Sequence, residues 1–267
     1  MTIPNDIAKT AFFSISKRLS PSGFSKLVNA INAARGSRVR VEVDDGNFLV
    51  REGELSVLVP TKFKAARFQR GFARRLGLLN KEYLLEEIEF QSGDTIVDCG
   101  ANVGEFSLLF KTKSLQIEYI GFEPAPAEFK CATRNVSNGQ VHNIGLWNTD
   151  GELEFFLKSD SADSSLIEMK DWDFKVTVAC RRLDAVVDVP RIKLMKIEAE
   201  GAEPEVLAGA KGLLDRTEWI TVDAGPERGF DEKETLPEVV NFLTKRNFDL
   251  VRVSHDRIVA LFKRSNA

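Results

Sequence analysis

Residues 94–110 read Asp94-Thr95-Ile96-Val97-Asp98-Cys99-Gly100-Ala101-Asn102-Val103-Gly104-Glu105-Phe106-Ser107-Leu108-Leu109-Phe110. Thr95-Ile96-Val97 is a short apolar strand, and Phe106, Leu109 and Phe110 fall along one side of a helix expected from Gly104. The stretch between them is an acidic, glycine-containing turn from strand to helix, and open α/β sheets bind their ligands at that edge. Gly100 lets the backbone approach a ligand with no Cβ in the way, and Gly104 allows the helix to pack close to the strand. Asn102 stands where the commonest nucleotide-binding fingerprint has its middle glycine. Asparagine tolerates left-handed backbone angles better than most residues, so the turn remains feasible.

Asp98 separates two kinds of ligand. A dinucleotide pyrophosphate would be repelled by its carboxylate, whereas a methionyl group carrying an ammonium and a sulfonium would be attracted, which favours S-adenosylmethionine over NAD. The next strand, 119–123, ends in Glu123 about twenty residues beyond the glycine turn, where an adjacent strand presents a carboxylate to ribose hydroxyls. Pro124 and Pro126 stiffen the exit from that strand. Asn143 lies toward the carboxyl end of a third strand expected over 141–146, on the side where adenine would sit. The candidate cofactor-binding residues are thus Asp98, Gly100, Ala101, Asn102, Gly104, Glu123, Pro124 and Asn143.

Working outward, strand and helix patterns alternate from residue 95 to the end, with an interruption at 153–157 and 175–180 that reads as two added strands. This argues an α/β fold with a Rossmann-like sheet covered by helices on both faces. Upstream, 39–43, 48–50 and 55–59 alternate apolar and polar residues between turns at 44–47 and 52–53, the pattern of a small β-meander. Helices are expected over about 62–78 and 81–89. Two amphipathic helices within 5–35 precede the meander, each with a face needing cover from the rest of the chain or from a second copy. The expected organisation is an N-terminal helical arm at 1–37, a meander with connecting helices at 38–90, and the cofactor domain at 91–267.

A net charge of −3 gives no general attraction for nucleic acid. With 43% hydrophobic and 29% charged residues the chain has the balance of an ordinary globular protein. Cys99, Cys131 and Cys180 are odd in number and widely spaced, which suits buried thiols in a reducing compartment. No secretory or membrane-spanning segment is read, and a cytoplasmic location is the default expectation.

Three blocks carry a family resemblance: DTIVDCGANVGEFSLLF at 94–110, IGFEPAPAEF at 120–129 and LMKIEAEGAEPEVLAGA at 194–210. From about Val39 onward the chain resembles the FkbM-type methyltransferases, most specifically through the acid-rich turn of the third block. The resemblance implies a class I methyltransferase fold with an antiparallel last strand, S-adenosylmethionine as cofactor, and methyl transfer to oxygen, typically a hydroxyl of a sugar or natural product. The family usually has aspartate where this chain has Glu198, so that carboxylate is one methylene longer. The helices before Arg35 are not explained by the resemblance.

Strand alternation places Lys196, Glu198 and Glu200 on one face and Met195, Ile197 and Ala199 on the other. Such charges in a central strand must pair, bind a ligand or lie at its open end. Glu200, Glu198 and Asp223 are the candidate bases for removing the acceptor's proton, with Lys196 beside them. Alternatively the three carboxylates could hold Mg²⁺ or a similar divalent metal that orients the acceptor, and the sequence does not choose. His142, near the start of its expected strand, reads as structural, and His255 falls in a turn. Ser161–Ser165 is a candidate acceptor loop. Lys62, Lys64, Arg67, Arg70, Arg74 and Arg75, interleaved with Phe63, Phe68 and Phe72, read either as a solvated face or as a site for a phosphate-bearing acceptor. The competing functions are an NAD-dependent oxidoreductase and a module that holds cofactor without turnover.

Overall fold

The computed structural model describes residues 16, 18–158, 164–254 and 257–265. Most of the first expected helix lies outside them, as do His255 and most of the candidate acceptor loop. The chain divides into two compact units, Met1–Arg75 and Leu76–Ala267.

In the first unit, helix α1 (Pro21–Ala34) starts where Ser20 Oγ accepts from the Gly23 amide at 3.1 Å, with Pro21 in the first turn. Strands β1 (Arg40–Asp44), β2 (Asn47–Glu52) and β3 (Leu55–Val59) form the expected meander. Its first turn uses the positive φ of Asp45 and Gly46, the geometry that suits the twist of a tight hairpin. The apolar side of α1 is covered within the unit: Phe24 and Val28 are buried, and Phe24 meets Phe48 edge-on at 5.3 Å. Asn29 adds a paired bond to the backbone of Val41, at 2.8 Å each way.

The helix expected over 62–78 is two helices, α2 (Lys62–Ala66) and α3 (Phe72–Glu82). Helical periodicity runs through Gly71, but its φ is +93° and the Phe72 amide donates to Glu52 Oε2 at 2.7 Å, so a new helix starts there. The basic run does not make one face. Lys64 and Arg75 are buried, Lys62 gives its ammonium to the carbonyls of Ser16 and Leu19, and Arg70 and Arg74 are exposed. Downstream, Leu84 at φ 58° reduces the second expected helix to a short turn at Leu85–Glu87.

The second unit is built on β4 (Thr95–Cys99), α4 (Ser107–Thr112), β5 (Glu118–Phe122), α5 (Pro126–Asn135) and β6 (Gly139–His142). The interruption forms its own three-stranded sheet from β7 (Gly145–Leu146), β8 (Gly151–Leu157) and β9 (Phe174–Arg181). After α6 (Leu183–Val186) come β10 (Ile192–Ile197), α7 (Glu203–Gly209), β11 (Thr217–Asp223) and a hairpin of β12 (Pro226–Arg228) with β13 (Lys233–Glu234). Helix α8 (Leu236–Thr244), β14 (Phe248–Val253) and β15 (Val259–Arg264) close the series.

The main sheet has seven strands in the order β14-β15-β11-β10-β4-β5-β6. β15, the last strand, is antiparallel to both neighbours, and β11, β10, β4, β5 and β6 are mutually parallel. Chain order therefore reverses direction between β4 and β10, and the crevice at their carboxyl ends is the expected ligand position. One face of the sheet buries Val97, Cys99, Met195, Ile197, Ile220 and Val222 with Val206 and Leu207 of α7 and Val239 and Leu243 of α8. The opposite face carries edge-on ring contacts of Tyr83 with Phe106 at 5.6 Å and Phe106 with Phe110 at 5.8 Å. The three cysteines are free and buried. Among the described residues no helix is long and apolar enough to cross a membrane.

Candidate active site

At the reversal point β4 and β10 stand in register, Lys196 beside Asp98 and Ile197 beside Cys99. Gly100 follows β4 at φ 82°, and a Cβ there would lie 2.0 Å from the Glu198 carbonyl oxygen. No side chain fits, so the glycine is required by the approach of two backbones as well as by its angles. The amides of Gly100 and Ala101 both donate to the Phe122 carbonyl, at 3.0 and 2.9 Å, which draws the turn toward the end of β5. Asn102 takes the left-handed conformation at φ 50°. Gly104 also has positive φ, but a Cβ there would meet Val136 Cγ2 at 2.9 Å, with Ala132 at 3.5 Å. Its close packing is thus against α5 and its C-terminal end rather than against a strand, and α4 begins only at Ser107.

Glu123, just past the end of β5, is buried. Its Oε2 accepts from the Asn102 amide at 2.7 Å and its Oε1 from the Ala125 amide at 2.8 Å. The carboxylate therefore stands beside the glycine turn, held by backbone donors. Asn143 Nδ2 donates to the carbonyls of Glu123 and Pro124 at 2.8 and 3.0 Å, which makes Asn143 a brace for that corner. β6 ends at His142, so this histidine sits at the carboxyl end of its strand, not near the start. Its ring stacks on Phe122 at 5.1 Å, and burial holds its pKa below the ordinary value.

Asp98, at the head of the turn, has partners on both neighbouring strands. Its side chain is fully buried, with Oδ1 accepting from Lys196 Nζ at 2.8 Å and Oδ2 from the Tyr119 hydroxyl. Burial pushes its carboxyl up and the lysine pulls it down. A carboxylate so enclosed ties β4 to both of its neighbours, β5 and β10. Lys196 also donates to the Gly100 carbonyl at 2.9 Å and pairs with Glu198 Oε2 at 3.2 Å. Its ammonium lies over the rings of Tyr83 and Phe106, at 5.2 and 5.8 Å from their centroids. Burial opposes its charge, but Asp98 and Glu198 outweigh that and raise its pKa above the usual lysine range, so it is a fixed cation.

Both carboxylate oxygens of Glu198 are engaged, although the side chain is part exposed. Tyr83 donates its hydroxyl to Oε2, and Arg257 Nη2 donates to Oε1 at 3.1 Å. Burial raises its carboxyl, yet Lys196 and then Arg257 lower it further, to about 2. Arg257 also contacts Asp223 Oδ2 and lies 3.7 Å from Glu227 Oε1. Asp223 is raised mainly by burial, against the pull of Arg257. A divalent metal bridging Glu198 and Asp223 does not fit, because the guanidinium already occupies the place between them. Nor do the described residues hold any group of three or more His, Cys, Asp or Glu arranged to ligate a metal.

Glu200 does not extend the row of charges. The strand ends at Ile197, and Glu200 has φ 48° in a turn, its carbonyl accepting from Ser165 Oγ at 2.8 Å. The turn is organised by Glu203, whose Oε1 accepts from the amides of Ala199 and Gly201, both at 3.0 Å, and whose Oε2 accepts from Thr235 Oγ1 at 2.9 Å. Tyr83, Tyr119, Glu203, Glu227 and Arg257 are the site residues that sequence reasoning missed. Charge balance could have signalled Arg257, since strand-end carboxylates on a central sheet require a cation.

Residues 98–250 match the Methyltransferase FkbM domain family. "Methyltransferase 1" of Beauveria bassiana is 31% identical over 212 residues, covering 69% of this chain and 83% of that protein. The "Hexuronic acid methyltransferase AglP" of Haloferax volcanii is 26% identical, covering 68% of this chain and 75% of that protein. The "31-O-demethyl-FK506 methyltransferase FkbM" of Streptomyces tacrolimicus is 24% identical, covering 63% of this chain and 78% of that protein.

Proposed function

The chain belongs to the FkbM family of methyltransferases, and from that premise we propose that it moves the methyl group of S-adenosylmethionine to a hydroxyl oxygen of a sugar, glycan or related natural product. The observation that carries the cofactor reading is the placement of the buried Glu123 carboxylate beside the Gly100–Gly104 turn, at the point where strand order reverses. Glu123 would accept from the ribose hydroxyls, the turn at Gly100, Ala101 and Asn102 would take the methionyl end, and Asn143 with Pro124 would border the adenine. When bound, the cofactor supplies an electrophilic methyl on a positively charged sulfur. The NAD-dependent alternative loses its ground once the family is assigned. The oxygen acceptor is supported by two relatives, one named for a hexuronic acid and one for a demethylated oxygen of FK506.

The residues of this chain do two things in that reaction. The rigid β4–β10 junction, fixed by Lys196 with Asp98 and the Gly100 carbonyl, keeps the cofactor turn from moving. Tyr83, Lys196 and Arg257 hold Glu198 ionised at the crevice, a preorganised negative group beside the expected position of the sulfonium. The acceptor oxygen must lie in line with the methyl at near-attack distance, and that alignment is worth more than any single polar contact. The test is incubation with S-adenosylmethionine and a panel of hexuronic acid glycosides, neutral glycosides and macrolide alcohols. S-adenosylhomocysteine release that depends on the acceptor, with a new methoxy group by mass spectrometry, is expected. Methyl transfer confined to nitrogen or carbon acceptors would refute the proposal, and tight cofactor binding with no product across the panel would mark a cofactor-holding module instead.

A further inference from the structure

Two carboxylates at the end of β11, Asp223 and Glu227, hold neither the cofactor turn nor the β4–β10 junction, and both lie at Arg257. Asp223 closes β11, and the chain then folds back through two tight turns, the Gly225 amide donating to Asp223 Oδ1 at 3.3 Å and the Glu227 amide to the Gly225 carbonyl at 2.9 Å. This brings Glu227 alongside Asp223 and Arg257. The next residue fixes it there: Arg228 clamps Glu205 with two bonds of 2.9 and 2.8 Å and also donates to the Gly201 carbonyl. Gly201 admits that approach only because it lacks a side chain, since a Cβ would lie 2.6 Å from Arg228 Cα.

Three carboxylates, Glu198, Asp223 and Glu227, surround the Arg257 guanidinium, and the other cation of the cluster, Lys196, is divided between Asp98 and Glu198 and does not reach Asp223 or Glu227. Arg257 contacts Glu198 and Asp223 closely and Glu227 only at 3.7 Å. Glu227 Oε2 is buried and finds no hydrogen-bond donor among the described residues. Asp223 is 1% exposed and cannot reach an acceptor, whereas the Glu227 side chain keeps 29% of its surface open. Resting on the reading of the chain as an O-methyltransferase, we propose that Glu227 is the general base that takes the proton of the acceptor hydroxyl.

The step balances. As the acceptor oxygen forms its bond to the methyl carbon, the carbon–sulfur bond breaks with its electron pair going to sulfur, which becomes a neutral thioether. The hydroxyl proton passes to the Glu227 carboxylate and leaves to solvent afterwards. The groups facing Glu227 suit it to this work. Burial first, then Asp223, push its carboxyl up to about 8, Arg257 opposes them, and Glu198 and Glu203 add to the rise. A base in that range is far stronger than Glu198 and is still ionised in part at neutral pH. The rate should therefore rise with pH through a single limb near 8 and level off above it.

Two measurements on the full chain test this. With isotope-labelled glutamate and no cofactor, NMR should show one carboxyl resonance titrating within about a unit of pH 8 that is missing from Glu227→Gln; its absence above about pH 6 would overturn the proposal. With S-adenosylmethionine and methyl glucuronide, Glu227→Gln should lose about 10²–10⁴-fold in kcat together with the alkaline limb, and Glu227→Asp should keep the limb at a reduced rate. Glutamine retaining kcat within about tenfold and the same pH profile would remove Glu227 from the chemistry. Calorimetry separates the two claims: wild-type protein that does not bind S-adenosylmethionine breaks the methyltransferase reading, while the resonance still decides whether Glu227 holds its proton.

Discussion

The two halves of the crevice are built on opposite principles. The half proposed to take the cofactor, Gly100 to Gly104 with Glu123, is made of backbone: positive-φ residues, amides donating to a carboxylate, and a position where a Cβ would strike a carbonyl at 2.0 Å. The half proposed to carry the chemistry is made of charges from distant segments, with Tyr83, Glu198, Asp223, Glu227 and Arg257 meeting at the ends of β10 and β11. Lys196 joins the two, touching Asp98 and Gly100 on one side and Glu198 on the other. Backbone geometry tolerates almost no substitution, whereas a charge cluster tolerates substitution but shifts its protonation. The halves should therefore fail in different ways.

The largest effect is expected where they meet. Lys196→Met leaves Asp98 buried without its cation and should cost about 3–5 kcal/mol in denaturant unfolding, with loss of activity. Gly100→Ala should break the backbone half alone: the left-handed angle and the clash together cost about 2–4 kcal/mol, and cofactor affinity should fall at least tenfold while the charge cluster keeps its titration. The charged half should respond to pH instead. Glu227 has a folded pKa raised to about 8, so the native state gains from its protonation at low pH and loses that gain as pH rises toward and through 8. Glu227→Gln should thus be more stable than wild type at about pH 9, by on the order of 2–3 kcal/mol after allowing for partial exposure, and little different at about pH 4. Glu198 has the opposite sign: its folded pKa is depressed to about 2, so its contribution is present above the ordinary carboxylate range and disappears as pH falls toward 2. The smallest effect belongs to Gly104→Ala, about 1–2 kcal/mol by thermal melting, since the Val136 methyl that it meets at 2.9 Å can move.

The same contrast decides what could be read from the sequence. Gly100, Asn102 and Gly104 lie within five residues, and the acid of the next strand follows at a fixed distance, so the backbone half was legible as a unit. Strand-helix alternation likewise pointed to a Rossmann-like sheet covered by helices, and the family resemblance to the reversed last strand, whereas the order of the strands comes from the structure alone. The helix expected over 62–78 failed at Gly71 because periodicity does not register a glutamate arriving from β2 to start a new helix. The pairing of Asp98 with Lys196 was not legible, because alternation within a strand does not reveal the register between strands, and that register sets Lys196 beside it. Glu200 was placed with Glu198 by extending the alternation three residues past the end of β10. Tyr83 and Arg257 are separated from Glu198 by 115 and 59 positions, and only the folded sheet brings them together.

The central claim is that the Gly100–Gly104 turn and Glu123 hold S-adenosylmethionine. Isothermal calorimetry of the full chain with S-adenosylmethionine, S-adenosylhomocysteine and NAD, repeated on Glu123→Ala, tests it most directly. The account predicts binding of the first two and not of NAD, and a loss of at least tenfold in affinity for the variant, the equivalent of about 1.4 kcal/mol for the ribose contacts. Binding of NAD, or unchanged S-adenosylhomocysteine affinity in a folded Glu123→Ala protein, would contradict it.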